Sequence, residues 1–117
     1  MSKFIIISKG TELLRIPAER LMYITSDGNY SNVVTEDGKS MLVSFQLGQI
    51  EDLIAQQIGD DMTTFLRLGR GLIINTNYVY FIDVSKQQLV LSNCCGSYHT
   101  LSASREVLNA FMEAEIK

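Results

Sequence analysis

The feature that most constrains the fold of this chain is a succession of short apolar runs, each closed by residues that favour turns. The runs of strand length lie at residues 4–7, 12–16, 21–25, 30–35, 39–45, 78–84, 88–92 and 97–101. One of the breaks between them is Asp37-Gly38, a pair typical of two-residue hairpin turns. Many short strands separated by such turns predict an antiparallel, β-rich domain.

Two other segments have helical periodicity. In residues 47–58 apolar side chains recur at spacings of three and four, and Gly59 stands where a helix is expected to stop. Residues 103–115 carry a second apolar stripe, with Ser102 or Ser104 as a candidate cap. The two stripes consist of Leu47, Ile50, Leu53, Ile54 and Ile58, and of Val107, Leu108, Phe111 and Met112. We therefore predict a mainly β fold with one short internal helix and a C-terminal helix.

Size and composition limit the class of protein. The chain has 117 residues, of which 46% are hydrophobic and 20% charged, as expected for one globular domain. No apolar run approaches the ~18 residues that a membrane-spanning helix needs, so we expect no insertion into a membrane. The adjacent Cys94 and Cys95 fit neither an unstrained disulfide nor the spacing of a metal site. A reduced pair is expected, which indicates a cytoplasmic protein.

An enzyme is hard to build from these residues. The single histidine, His99, lies in a predicted strand and has no acid at a telling distance in the sequence. A cysteine nucleophile needs a base and an electropositive setting, and nothing in the sequence argues for either. Gly69 and Gly71 lack the spacing and the strand–turn–helix setting of a phosphate-binding loop. The acidic pairs at 51–52 and 60–61 lack the alternating oxygen ligands of a calcium loop. We therefore expect no catalytic residue, no cofactor and no metal ion.

Charge is unevenly distributed along the chain. The net charge is −3, yet residues 62–105 carry a balance of +3, from four basic residues and one acidic residue. These five are Arg67, Arg70, Lys86, Arg105 and Asp83. A partner within a Debye length responds to the local patch more than to the total charge. An acidic total therefore does not exclude a nucleic-acid partner.

The most informative stretch, residues 65–75, places Arg67 and Arg70 among glycines. Glycine lets backbone N–H groups approach a partner closely, and the planar fork of arginine suits phosphate oxygens or the O6/N7 edge of guanine. The structural alternative is an ion pair for Arg67, with the glycines as turn formers. Arginines that share one exposed face would favour DNA binding, whereas arginines paired with acids would disfavour it.

Three stretches, in their order and spacing, resemble the LytTR domain, the DNA-binding output module of many bacterial response regulators. Residues 16–30 are similar to its strand that enters an acidic, glycine-containing turn ending in tyrosine. Residues 65–75 are similar to its phenylalanine, arginine, arginine and asparagine signature, and residues 101–105 to its serine and arginine motif before the last helix. The resemblance covers nearly the whole chain, from about residue 5 to residue 108.

The resemblance implies an elongated fold of small antiparallel β-sheets that inserts loops, rather than a recognition helix, into successive DNA grooves. By that likeness residues 29–32 and Arg105 reach major-groove base edges, and Arg70 lies against the minor groove or the backbone between them. Arg67 and Asn75 hold the loop or contact phosphates. The candidate DNA contacts are Asn29, Tyr30, Ser31, Asn32, Arg67, Arg70, Asn75, Ser102, Ser104 and Arg105.

The function implied is sequence-specific binding of double-stranded DNA by a bacterial transcription regulator at promoter direct repeats. Binding by a monomer, by two copies on tandem sites and by a homodimer stay open. The chain departs from the family pattern at Gly69 and Gly71, where histidine and serine are common, and this removes two potential contacts. We expect residues 1–117 to form one LytTR-like domain without a receiver domain, which leaves the input signal and any sensor kinase undefined.

The alternative is a protein-interaction module of the same fold without base-specific readout. The predicted strand at 78–84 is rich in aromatic residues, and its alternation places Tyr78, Tyr80, Ile82 and Val84 on one face. An exposed aromatic face would favour a protein partner, whereas cross-strand packing explains the same residues without one.

Overall fold

The computed structural model describes residues 3–59 and 64–115. Within these ranges ten strands form three antiparallel sheets, and two α-helices complete the fold. The principal-axis extents are 44 × 34 × 29 Å, so the molecule is elongated in one direction. The predicted mainly β architecture, with one internal and one C-terminal helix, is confirmed. Neither helix is long and apolar enough to span a bilayer in the part of the chain described.

The largest sheet has five strands in the order β5-β4-β3-β7-β6. Its strands are β3 (Leu21–Asp27), β4 (Tyr30–Thr35), β5 (Ser40–Val43), β6 (Phe65–Leu68) and β7 (Leu72–Asn75). The first three correspond to the predicted strands at 21–25, 30–35 and 39–45. The hairpin turns that join them contain Gly28 and Gly38, whose φ values of 64° and 87° suit glycine better than any residue with a side chain.

The hairpin of β6 and β7 does not follow from the apolar pattern. Each strand has only four residues, and all four of β7 are buried, so the alternation that marks a half-buried strand is absent. The burial has a simple cause, because β7 lies between β3 and β6 and the sheet is covered on both faces.

A smaller sheet has the order β10-β9-β8. Its strands are β8 (Val79–Asp83), β9 (Gln88–Ser92) and β10 (Tyr98–Ser102). The predicted single face of the aromatic strand holds for Tyr78, Ile82 and Val84, which all pack against one core. It is wrong at Tyr80, because the pairing of β8 shifts between Val79 and Phe81. Val79 and Ile82 pack against the core, Tyr80 and Phe81 are exposed, and Tyr78 lies in the 3-10 turn before the strand.

The internal helix α1 spans Leu47–Ile58 and ends at Gly59, as predicted. Its start is fixed by a reciprocal cap, in which the side chains of Gln46 and Gln49 each bond to the other residue's backbone N–H. The helix packs on a two-stranded sheet of β1 (Phe4–Lys9) and β2 (Glu12–Pro17) and on one face of the five-stranded sheet. Its buried residues are Leu47, Ile50, Ile54 and Ile58.

The C-terminal helix α2 spans Arg105–Glu115 and buries Leu108 and Phe111. Leu108 packs with the three-stranded sheet against the other face of the five-stranded sheet, forming a second core. Along β3, Met22 belongs to this second core and Ile24 to the first. The five-stranded sheet is therefore the central layer that fixes the other elements relative to one another.

Candidate nucleic-acid interface

Two hairpin turns of the five-stranded sheet lie side by side at one end of the molecule. Residues 27–30 connect β3 to β4, and residues 69–71 connect β6 to β7. Because β3 and β7 are antiparallel neighbours, the end of β3 lies beside the start of β7, and both turns emerge from the same end of the sheet. The backbone N–H of Ser26 donates to the carbonyl oxygen of Gly71 over 3.0 Å, which fastens one turn to the other.

The three-stranded sheet ends at the same place. Gln88 is paired with Asp83 on β8 and with Ser102 on β10, so the turn at 84–87 and the linker at 103–104 lie together. A cavity of about 210 Å³ joins this region to the turn at 69–71. It is lined by Thr25, Leu68, Gly71, Leu72, Leu101 and Ser102.

The hairpin of β1 and β2 adds one more turn to this end. The Nζ of Lys9 donates to the carbonyl oxygen of Ser44 over 2.9 Å and lies 5.3 Å from the centre of the Phe45 ring. Ser44 directly follows β5, which finishes beside the start of β4. We call these five segments the loop end: residues 9–12, 27–30, 69–71, 84–87 and 103–105.

Four cations with exposed side chains stand on the loop end: Lys9, Arg70, Lys86 and Arg105. Across residues 3–59 and 64–115 the guanidinium of Arg70 has neither a hydrogen-bond partner nor an ion pair. Arg105 donates one hydrogen bond, from Nη2 to the carbonyl oxygen of Ser85 over 3.2 Å, and has further donors to offer. Lys9 and Lys86 were not sequence candidates, and only Lys86 had a signal, as part of the basic stretch.

Arg67 has a different environment. Its Nη1 donates to Oε1 of Glu51 over 2.8 Å, and its Nε and Nη2 donate to the carbonyl oxygens of Gly69 and Arg70 over 3.0 and 3.1 Å. The ion pair and the glycine turn of the structural alternative are thus both present. The informative stretch therefore divides into one arginine paired with an acid and one arginine facing solvent.

The two glycines of this turn have local structural reasons. Gly69 adopts a φ of 69°, which residues with side chains rarely adopt. A Cβ on Gly71 would lie 3.2 Å from the Oγ of Ser26, closer than most such contacts. Gly69 thus suits the backbone of its own turn, and Gly71 suits the close approach of the two turns.

The first loop presents some of its candidate side chains and hides one. Asn29 is exposed and its Oδ1 accepts a hydrogen bond from Nε2 of Gln46 over 3.3 Å, while Tyr30 is 47% exposed. Asn32 is half-buried within β4. Ser31 is fully buried, and its hydroxyl donates to the carbonyl oxygen of Phe45 over 2.8 Å. As a DNA contact Ser31 is therefore corrected to a residue that holds β4 against the start of α1.

Asn75 needs the same correction, because its side chain has no exposed area. Its Nδ2 donates to the carbonyl oxygen of Leu21 over 2.9 Å, and its Oδ1 accepts the backbone N–H of Asn77 over 3.0 Å. These bonds occupy both ends of the amide far from the loop end. The side chain satisfies buried backbone groups at the end of β7.

The two serine candidates before α2 have different environments. Ser104 accepts the backbone N–H of Val107 at its Oγ over 3.2 Å, which makes it the cap of α2. Ser102 is exposed at the end of β10 and lines the cavity beside the turn at 69–71. Both stand close to Arg105 in the chain, and Ser102 faces the region where the two sheets meet.

Asp83, directly before the turn at 84–87, accepts hydrogen bonds from two residues of that turn. Ser85 donates its hydroxyl and Lys86 its backbone N–H to Oδ1 of Asp83, over 2.7 and 3.1 Å. These hydrogen bonds, that of Ser85 foremost, hold the pKa of the Asp83 carboxyl below its usual value. The ionised carboxylate thereby fixes the backbone of the turn that carries Lys86.

His99 and the cysteines have structural settings. The Nδ1 of His99 is 3.1 Å from the hydroxyl oxygen of Tyr23, and its Nε2 is 3.0 Å from that of Ser97. Cys94 and Cys95 are free and exposed in the turn before β10. Over the described ranges no group of three or more histidine, cysteine or acidic residues is placed to hold a metal ion.

Comparisons with known proteins agree with the geometry. The family model of the LytTr DNA-binding domain matches residues 11–115. A similar solved structure is the LytTr DNA-binding domain of a response regulator from Bacillus cereus, with a TM-score of 0.63. The two are 19% identical over 95% of this chain and 94% of that chain, a likeness that concerns the fold. A comparison with curated protein sequences gives no match.

Proposed function

The chain belongs to the LytTR family of DNA-binding domains, and we propose that its loop end binds double-stranded DNA by entering successive grooves with its turns. In this role it regulates transcription at paired direct repeats in promoters. The observation that carries the proposal is the position of Arg70 and Arg105, which are exposed on the same end as Asn29 and Tyr30. No acid pairs with either arginine in the described part of the chain.

The contacts divide by chemistry. Asn29 and Arg105 have amide and guanidinium groups that can make paired hydrogen bonds to base edges in the major groove. Tyr30 stands beside Asn29 on the first loop, Asn32 follows half-buried in β4, and both flank the base that Asn29 reads. Arg70, on the middle turn, lies against the minor groove or the backbone between the two reading elements.

Phosphate contacts complete the interface. Ser102 and Ser104 offer hydroxyls beside Arg105, and Lys9 and Lys86 offer ammonium groups at the outer turns of the loop end. Such contacts fix the register of a protein on the duplex without reading the sequence. With so few cations, binding should be modest and should weaken steeply with salt, by roughly 0.9 logarithmic units per neutralised phosphate.

The test is a selection of duplexes from a random pool at two salt concentrations, with the wild type, Arg105→Ala and Arg20→Ala. Arg20 is the matched control, because it stands at the opposite end of the sheets in a weak exposed pair with Glu36, 3.6 Å away. We expect a direct-repeat motif with the wild type and with Arg20→Ala. Arg105→Ala should lose about 1–3 kcal/mol of binding free energy and relax the preference at one base pair.

If Arg105→Ala loses the same amount of affinity for selected and for random duplexes, Arg105 does not read a base. Failure of the wild type to enrich any motif would contradict sequence-specific binding. Analytical ultracentrifugation of the protein on a selected repeat distinguishes one bound copy from two. The same measurement without DNA shows whether the protein forms a dimer before it binds.

A second candidate is a protein-interaction module, which a separate surface favours. Tyr80, Phe81 and Tyr98 are 58%, 50% and 57% exposed, and a cavity of about 360 Å³ lies between β8 and α2. Exposed apolar surface of this kind is typical of contact sites. If the loop-end variants leave DNA binding unchanged while Tyr80→Ser abolishes activity of the regulator in cells, this candidate replaces the first.

A further inference from the structure

We propose that Arg67 and Glu51 form a positioning pair that fixes the turn at 69–71 on helix α1 and so sets the direction in which Arg70 meets DNA. The inference rests on the proposed function of the loop end. It assigns a role to Glu51, a residue that no sequence pattern singles out for DNA binding, and removes Arg67 from the residues that contact the duplex.

The geometry is that of one guanidinium closing a turn. The side chain of Arg67 donates to two backbone carbonyls within the turn, those of Gly69 and Arg70, and to the carboxylate of Glu51. All three donor–acceptor distances lie between 2.8 and 3.1 Å. A planar fork can satisfy several acceptors in fixed directions at once, which a single ammonium group cannot do.

The turn needs such support because of its composition. It consists of Gly69, Arg70 and Gly71, and glycines leave a backbone with many accessible conformations when it is not restrained. Ordering a loop and a long side chain only on binding weakens affinity, whereas ordering them beforehand strengthens it. Two carbonyls held by Arg67 fix the peptide groups on either side of the Cα of Arg70.

Glu51 connects this turn to a rigid support. It stands on α1 next to Ile50, which is fully buried, and one turn before Ile54, which is 1% exposed. The helix is therefore held by the first core, and the carboxylate of Glu51 transmits that position to Arg67. The pair is partly shielded from water, since the side chain of Arg67 is 28% exposed and that of Glu51 is 37% exposed.

The competing role for Arg67 is a direct phosphate contact, and it predicts the opposite sign. If Arg67 binds a phosphate, Glu51 competes for the same guanidinium, and its removal should strengthen DNA binding. If Arg67 positions the turn, removal of Glu51 should weaken binding although the protein loses a negative charge. The neighbouring Asp52 is exposed on the same helix and is the matched control for loss of charge.

The experiment compares Glu51→Ala, Asp52→Ala and Arg67→Lys in the 117-residue chain, by fluorescence anisotropy with a labelled duplex enriched by the wild type. We expect Glu51→Ala to bind about three- to tenfold more weakly than Asp52→Ala, the range given by loss of order in one side chain and its turn. Arg67→Lys keeps the charge and loses the fork, and should show a loss of the same size. Thermal unfolding establishes that each variant is folded at the assay temperature.

A double-mutant cycle with Arg70→Ala supplies the readout that a general loss of stability would not move. If Glu51 acts through Arg70, Glu51→Ala should cause no further loss of affinity once Arg70 is alanine. Independent, additive losses would overturn the inference, as would a Glu51→Ala protein that binds as tightly as Asp52→Ala. A wild type that binds no duplex contradicts the proposed function itself, so the two failures are distinguishable.

Discussion

The same sheets end in two sets of turns with opposite character. At the loop end, turns present the side chains of Arg70, Lys86 and Arg105 to solvent. At the other end, side chains from one turn bond to the next element. We call this second region the braced end: residues 18–20, 36–39, 75–78 and 93–97. Position and partners, not residue type, therefore separate the proposed interface from the scaffold.

The braced end is held by contacts between distant parts of the chain. Arg20 lies 3.6 Å from Glu36 in an ion pair, and Nδ2 of Asn93 donates to the carbonyl oxygen of Glu36 over 2.8 Å. The hydroxyl of Tyr78 donates to the carbonyl oxygen of Glu19. These bonds connect the five-stranded sheet, the three-stranded sheet and the segment after β2, so substitutions here should change stability and leave DNA binding alone.

The largest effect is expected at Asn75, where the sequence places a DNA contact and the structure places a buried amide. Asn75→Ala leaves the carbonyl oxygen of Leu21 and the N–H of Asn77 without their partner. We expect the free energy of unfolding to fall by about 1–3 kcal/mol, measured by urea denaturation. The folded variant should keep wild-type affinity for DNA, and a matched loss of affinity would return Asn75 to the interface. Asn77→Ala, at an exposed position two residues further along, is the control.

Arg70→Ala should show the reverse pattern. Loss of one charged contact should weaken binding by about 1.5 kcal/mol, roughly tenfold, on selected and random duplexes alike. Its unfolding midpoint should equal that of the wild type, because the guanidinium has no partner within the described residues. The check is anisotropy on both duplexes beside Arg20→Ala. A loss confined to the selected duplex would make Arg70 a base reader instead.

Tyr78→Phe removes one hydrogen bond of the braced end. The variant loses its hydrogen bond to Glu19 and should lose about 1 kcal/mol of stability at neutral pH. Burial, together with the neighbouring Glu36 and Glu19 carboxylates, raises the pKa of the Tyr78 hydroxyl above its usual value. The resulting stability is present below a pH of about 10 and is lost as the pH rises through the folded-state pKa. The free energy of unfolding should therefore fall less at alkaline pH in Tyr78→Phe than in the wild type. A difference in free energy of unfolding between the two proteins that stays constant at every pH would contradict this.

The smallest effect is expected from two lysines. Lys9 belongs to the loop end and Lys39 to the braced end, and both are exposed. Lys9→Ala should reduce the slope of logarithmic affinity against logarithmic salt concentration by about 0.9, the value for one phosphate contact. Lys39→Ala should leave the slope unchanged. Equal slopes for both variants would show that DNA does not reach the hairpin of β1 and β2.

Much of the fold follows from local patterns in the sequence. The strands at Tyr30–Thr35 and Gln88–Ser92 and the helix at Leu47–Ile58 have the predicted bounds, because alternation, glycine turns and helical spacing all act over a few residues. The hairpin of β6 and β7 was not predicted, because burial on both faces of β7 removes the alternation of apolar and polar residues. The predicted face of β8 was wrong at Tyr80, because a shift in the pairing with β9 depends on the partner strand.

The candidate site is harder to predict from the sequence than the fold is. Ser31 and Asn75 are polar residues that are usually exposed, and only the packing of α1 and β3 shows that each satisfies buried backbone groups. The pairing of Arg67 with Glu51 joins residues 16 positions apart in the chain. Lys9 belongs to the loop end because the fold brings its Nζ to the carbonyl oxygen of Ser44, directly after β5. Each of these depends on the tertiary fold, whereas Arg70 and Arg105 could be proposed from the family resemblance.

The division into two ends is tested most directly by backbone amide chemical shifts of the protein, titrated with a duplex selected from a random pool. We expect shifts concentrated at residues 9–12, 27–30, 69–71, 84–87 and 103–105, with residues 18–20, 36–39, 75–78 and 93–97 unchanged. Shifts at the braced end or around Tyr80 and Tyr98, with the loop end silent, would contradict it.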